Sequence, residues 1–161
     1  MSLIRIFTVG GTIDKVYFDA KSSYEVGPPN IIEVLSGLSL NPGYEVSSLM
    51  QKDSLEMTDA DREVVHQAVS KAVEDMIIIT HGTDTMTNTA KILADISDKT
   101  IVLTGALSPA LFKNSDAMFN IGAAFTAAQT KPAGIYIAMN GMVFEYDKVR
   151  KDVGNNRFVA L

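Results

Sequence analysis

The chain has 161 residues, 47% of them apolar and 20% charged, which is enough for one ordinary domain with its own core and too apolar for a disordered segment. Its net charge is −5, with the two signs interleaved and no block of Lys or Arg, a pattern that argues against a nucleic-acid surface or an anionic-membrane surface. It has no cysteine, so disulfides and thiolate metal sites are excluded, and His66 and His81 are its only imidazoles.

The opening MSLIRIFTVGG lacks a charged segment followed by a long apolar core and a small-residue cleavage site. No apolar run reaches the roughly 18 residues of a membrane span. A soluble, cytoplasmic protein is therefore expected.

Leu3–Val9 reads as a short buried strand ending at Gly10-Gly11. The next segment, DKVYFDAKSSYEVGPPN, is polar and shows neither helical nor strand periodicity, so it is expected to be a long loop of the kind often used as a lid. IIEVLSGL after Pro29 predicts a short helix, and Tyr44–Met50 alternates as a strand. Thr58 is the expected N-cap of DADREVVHQAVSKAV, whose first-turn acids favour the helix dipole.

Met76–Thr80 is a compact apolar strand, followed by helical spacing in TMTNTAKILADI. Thr100–Thr104 is another strand, and Ser115 opens the Ala-rich helix DAMFNIGAAFTAAQT. Gly134–Met139 is a fifth strand, after which the chain is irregular or forms a small hairpin. Strands that alternate with helices predict a single doubly wound α/β domain, with a mostly parallel sheet covered on both faces.

In such sheets ligands bind beyond the carboxyl ends of the strands, where strand order reverses. In the flavodoxin-like order 2-1-3-4-5, the loops meeting there are VGGTI (Val9–Ile13) and THGTD (Thr80–Asp84). Glycines at 10, 11 and 82 permit close backbone approach and leave N–H donors free, and such donors are often a large term in acyl transfer. A threonine hydroxyl needs a base to become a nucleophile, and Asp84 with a nearby lysine could serve.

Simpler uses remain open. Thr83 or Asp84 could cap the following helix. GGT could hold a phosphate, although it fits neither GxGxxG nor the P-loop pattern. His81 reads as a structural histidine at a strand end, and His66 as a surface or boundary residue.

At these residues the chain resembles the bacterial-type L-asparaginase/glutaminase family, specifically its amino-terminal domain. VGGTI looks like the family's first threonine motif, TGGTI, and ITHGTDTMTNTA matches the second almost throughout. VLTGALSPA and NSDAMFNIGAA are similar to further family segments. The resemblance covers nearly the whole chain, which would make residues 1–161 one catalytic domain of this type.

The resemblance implies hydrolysis of a side-chain amide through a threonine acyl-enzyme, with water as the second nucleophile and neither cofactor nor metal. It makes Thr12 the nucleophile and Tyr24 the lid residue that assists it. Thr83 would position the attacking water, and Asp84 would bind the substrate's amino group and orient a lysine. Alignment from Met139-Asn140 puts that lysine at Lys151, with Lys148 as the competitor. Ser54 would contact the substrate's carboxylate beside Asp53, the backbone of Ala106 would face the amide, and Gly11 and Gly82 would line the pocket.

The chain also departs from the family. Val9 replaces the usual Thr, Leu55 a polar residue, and Ser108-Pro109 an Arg-Pro pair. The sequence ends at NNRFVAL, so the family's smaller carboxyl-terminal domain, which helps close a neighbouring subunit's site, is expected to be absent. A homo-oligomer acting on a small amide is expected. The alternatives are an amino-acid-binding module and an ammonia-supplying component of a tRNA-dependent amidotransferase.

Overall fold

The structure, a computed structural model, describes residues 3–161. In chain order, β1 (Leu3–Gly10) leads into β2 (Lys15–Phe18) and β3 (Ser23–Val26). There follow α1 (Ile31–Ser36), β4 (Gly43–Lys52), α2 (Asp59–Lys71), β5 (Met76–Thr80), α3 (Met86–Ile92) and β6 (Thr100–Thr104). The chain ends with α4 (Ala117–Thr130), β7 (Gly134–Met139), β8 (Met142–Glu145), β9 (Val149–Asp152) and β10 (Arg157–Ala160).

The main sheet has the order β4-β1-β5-β6-β7-β8. Its first five strands are parallel, and β8 turns back antiparallel on β7. The parallel strands thus follow the expected 2-1-3-4-5 order, and strand order reverses between β1 and β5.

The strands are apolar on both faces because both faces are covered. Phe7, Val9, Ile77, Ile79, Ile101 and Leu103 pack with Val65 and Val69 of α2 and Met86 and Ala90 of α3. Ile4, Ile6, Ile78 and Val102 pack on the other face with Ile31 and Leu35 of α1 and Ile121, Ala124 and Phe125 of α4. Each fully buried isoleucine contributes roughly 1.5–3 kcal/mol of transfer free energy, so the strand ends are held on a rigid platform. No helix among the described residues is long and apolar enough to cross a membrane.

Helix α2 starts at Thr58 in a reciprocal capping box with Asp61. The Asp61 carboxylate also takes Lys52 Nζ at 2.8 Å. Lys52, and then the Thr58 N–H, hold that carboxyl below its usual range, and the ion pair ties the end of β4 to the helix.

Two expectations need correction, and one open alternative is decided. The segment from Asp14 to Asn30 is not a plain loop: β2 and β3 form an antiparallel hairpin in which Tyr17 stands opposite Tyr24. Those rings meet edge-on at 5.3 Å, a cross-strand pair that four-residue strands hide from periodicity. After β7 the hairpin alternative holds: β9 with β10 forms a separate hairpin whose Val149 and Phe158 join the core, while β8 extends the main sheet. Lastly, neither Thr83 nor Asp84 caps α3. The N-cap is Thr85, which makes no side-chain capping bond and donates its hydroxyl to Ser54 O at 2.8 Å.

Candidate active site

Beyond the carboxyl ends of β1, β4 and β5, three loops meet with almost no space between their backbones. A Cβ on Gly11 would lie 2.4 Å from Gly82 Cα, and one on Gly82 would lie 2.6 Å from Ser54 Cβ. Gly11 has φ of 91°, a region costly for side-chain-bearing residues, and its N–H donates to Lys52 O at 2.9 Å. Gly11→Ala is therefore expected to destabilise the fold by at least about 3 kcal/mol. Gly122→Ala, where nothing lies within 4 Å of the new methyl, should stabilise α4 by about 0.5–1 kcal/mol. Urea titrations of the two variants check the contrast.

Thr12 opens a short 3-10 turn directly after Gly11 and is half-buried. Across from this turn, Thr83 is 7% exposed and Asp84 is exposed. Strand β9 brings Lys151 to them: its Nζ donates to Thr83 Oγ1 at 2.8 Å and to Asp84 Oδ1 at 2.8 Å. Because Thr83 Oγ1 accepts from the lysine, its own proton is free to point elsewhere. The Thr83 N–H has no partner among the described residues, which leaves a backbone donor at the loop.

Such a constellation of two hydroxyls, a carboxylate, a lysine and one free N–H donor has the parts of an acyl-transfer site. The sequence model described as "Asparaginase, N-terminal" matches residues 3–158. The chain belongs to the asparaginase family.

The L-asparaginase of Thermococcus kodakarensis is 28% identical over 167 aligned residues, covering 98% of this chain and 51% of that one. Its solved structure superposes with a TM-score of 0.82 over 99% of this chain. A solved structure described as a probable cytoplasmic L-asparaginase from Campylobacter jejuni gives 0.85 at 25% identity, covering 99% of this chain and 53% of that one. A component of the glutamyl-tRNA(Gln) amidotransferase of Methanococcus vannielii is 37% identical over 83 residues, covering 50% of this chain and 19% of that one. This asparaginase-family chain spans about half the length of the L-asparaginases it matches.

The other expected site residues of this family member are distributed unevenly. Lys148 is 70% exposed and pairs with Glu145 in its own turn, away from the threonine loops. Ser54 is buried with an unpartnered Oγ. Asp53 takes the Leu55 N–H at 3.0 Å and faces Lys15 Nζ at 3.6 Å. Ala106 is fully buried. Among the described residues no hydrogen bond joins Tyr24 to Thr12. The Tyr24 ring instead meets Phe112 edge-on at 5.5 Å and lines an open cavity of about 330 Å³ with Lys15, Gln51, Asp53 and Glu56.

Two further carboxylates, Asp116 within NSDAMFNIGAA and Asp14 after the first threonine motif, hold the surrounding loops, a role the sequence did not assign to them. Asp116 gathers the loop after β6, taking the N–H groups of Leu107 and Ser108 and the Asn120 amide. That loop also touches the Thr12 turn through Ala110 N–H to Ile13 O at 3.1 Å.

Asp14 anchors the base of the hairpin. Its Oδ1 accepts Asn30 N–H at 2.8 Å and its carbonyl accepts Gly27 N–H at 2.9 Å. Burial pushes its carboxyl up to about 7, with the Asn30 N–H pulling the other way. Its stabilising contribution is full below the unfolded value near 3.8 and is lost as pH rises through about 7. That loss is on the order of 4 kcal/mol. Asp14→Asn is accordingly expected to raise the melting midpoint at pH 8 by about 5 °C or more, and to change it little at pH 4.5. Thermal melts at the two pH values decide this.

Proposed function

We propose that the chain is an amidohydrolase that cleaves L-asparagine, or a related small amide, through an acyl-enzyme on Thr12. The Thr12 hydroxyl oxygen attacks the amide carbonyl carbon, the carbon–nitrogen bond breaks, and ammonia departs carrying the hydroxyl's proton. Water then attacks the ester, and its proton returns to Thr12 Oγ as the acid is released. In this reading the negative oxygen that forms in each step draws on the free Thr83 N–H. Thr83 Oγ positions the water, Asp84 receives the substrate's ammonium group, and Ser54 receives its carboxylate.

The observation that carries the reading is the bridge made by Lys151 Nζ to Thr83 and Asp84. It sits on a loop packed backbone-to-backbone against the Thr12 turn. A lysine so placed can exchange a proton with the Thr83 hydroxyl while Asp84 offsets its charge. Tyr24 enters as a lid residue that must leave Phe112 to reach Thr12. A cytoplasmic setting and a homo-oligomer belong to the same proposal, the first supported by the description of the Campylobacter jejuni neighbour.

The test is ammonia release from asparagine, glutamine and simple amides, with wild type and Thr12→Ala in parallel. A second reading, an ammonia-supplying component of a tRNA-dependent amidotransferase, draws support from the Methanococcus vannielii relative. Ammonia release that rises only when tRNA and a partner protein are added would favour it.

A further inference from the structure

We infer that His81 is a positioning residue, which acts through Gly82 as the end of a directional hydrogen-bond chain running Arg62 to Thr89 to His81. This inference rests on the amidohydrolase reading for its catalytic consequence, but not for its geometry. His81 Nδ1 lies 2.8 Å from Gly82 O, and His81 Nε2 lies 2.7 Å from Thr89 Oγ1. Arg62 Nε lies 3.2 Å from the same hydroxyl. The three side chains are 7%, 1% and 0% exposed in the order Arg62, Thr89, His81, so solvent does not compete for these bonds.

The chemistry of each group permits one assignment of protons. A carbonyl only accepts, so Nδ1 carries the hydrogen. In the neutral ring Nε2 then has the lone pair and accepts the Thr89 hydroxyl proton. With that proton committed, Thr89 Oγ1 accepts from Arg62, whose guanidinium is always a donor. The polarity therefore starts at a permanent cation and ends on a backbone carbonyl. Burial, with the Arg62 charge adding to it, holds His81 down to about 4, so the ring stays neutral under ordinary conditions.

What this accomplishes follows from the planarity of the peptide unit. Gly82 C=O and Thr83 N–H belong to one trans peptide and point in opposite directions. Holding the carbonyl inward on His81 turns the Thr83 N–H away from the interior, where it is unpartnered among the described residues. Glycine at 82 makes the opposite orientation of this peptide sterically accessible. That flipped state would present an oxygen where the reaction needs a donor. The chain of bonds selects between the two, and His81 itself touches no reacting atom.

Thr89→Val removes the hydroxyl at nearly constant shape, and Thr89→Ser keeps it. Two readouts are needed: kcat and KM for the best amide, and the imidazole ¹⁵N spectrum. Only two histidines contribute to that spectrum, and His66, paired with Asp95, serves as reference. Expected for wild type is a neutral His81 protonated on Nδ1. Thr89→Val should shift it toward the Nε2–H tautomer and lower kcat about 30-fold, with KM within about threefold. Thr89→Ser should restore both.

A wild-type His81 protonated on Nε2 overturns the inference, as does a tautomer change in Thr89→Val with unchanged kcat. If Thr89→Val does not fold, the wild-type tautomer and a Thr89→Ser variant with wild-type kcat still decide. A wild type that releases no ammonia from any amide sinks the amidohydrolase reading instead. Calorimetric affinity for aspartate then takes the place of kcat: a tenfold loss in Thr89→Val upholds the positioning role, and no loss overturns it.

Discussion

Thr12→Ala is expected to lower ammonia release by at least about 10³-fold while leaving the fold intact. Thr12 is half-buried at the start of its turn, and among the described residues its side chain makes no hydrogen bond. Removing the hydroxyl therefore strands no buried donor, and the stability change should stay within about 1 kcal/mol. A loss of activity in a protein with a wild-type melting curve is then chemical rather than structural.

Thr83→Ala supplies the necessary contrast. Its hydroxyl is buried and accepts Lys151, so its loss should lower both activity and stability. Wild-type turnover in Thr12→Ala combined with none in Thr83→Ala would move the nucleophile to the other loop. Turnover in both would remove the acyl-enzyme reading altogether.

The centre of the main sheet was legible in the sequence because β1, β5 and β6 are short apolar runs closed by Gly or Thr. Helices with clear periodicity or caps separate them. Met76–Thr80 and Thr100–Thr104 match the expected bounds, and the capping box at Thr58 explains why α2 starts where it does. The facing of the Thr12 and Thr83 loops followed from strand order alone.

What local patterns could not convey depends on contacts distant in sequence. The β2–β3 hairpin is held by the Tyr17–Tyr24 pair and by Asp14, neither of which creates a recognisable period over four residues. Thr85 and Thr89 read as ordinary helix residues. Their hydroxyls reach Ser54 O, 31 residues away, and His81 Nε2, which can be paired only once the helix is folded against its strand. A buried polar group must find a partner, yet its chain position does not name that partner.

Lys151→Met should lower turnover by about 10³-fold, whereas Lys148→Met should stay within about twofold of wild type. The two lysines are three residues apart, and motif alignment alone leaves a short gap able to exchange them. The geometry separates them. Lys151 is 14% exposed and bridges Thr83 and Asp84, while Lys148 stands in solvent beside Glu145. Water screens so exposed a pair, so its loss should scarcely move the melting curve.

Removing Lys151 leaves the buried Thr83 hydroxyl without its donor, at a cost of about 1–2 kcal/mol, but Asp84 stays hydrated. The protein should therefore remain folded and its catalytic loss be readable. Combining Lys151→Met with Thr83→Val tests whether the two act as a unit. If the lysine works through Thr83, the double variant should be scarcely slower than either single one, since each already breaks the same proton path. Losses that multiply would mean that Lys151 serves through Asp84 instead, as the group that fixes the carboxylate for the substrate's ammonium. KM would then carry most of the change.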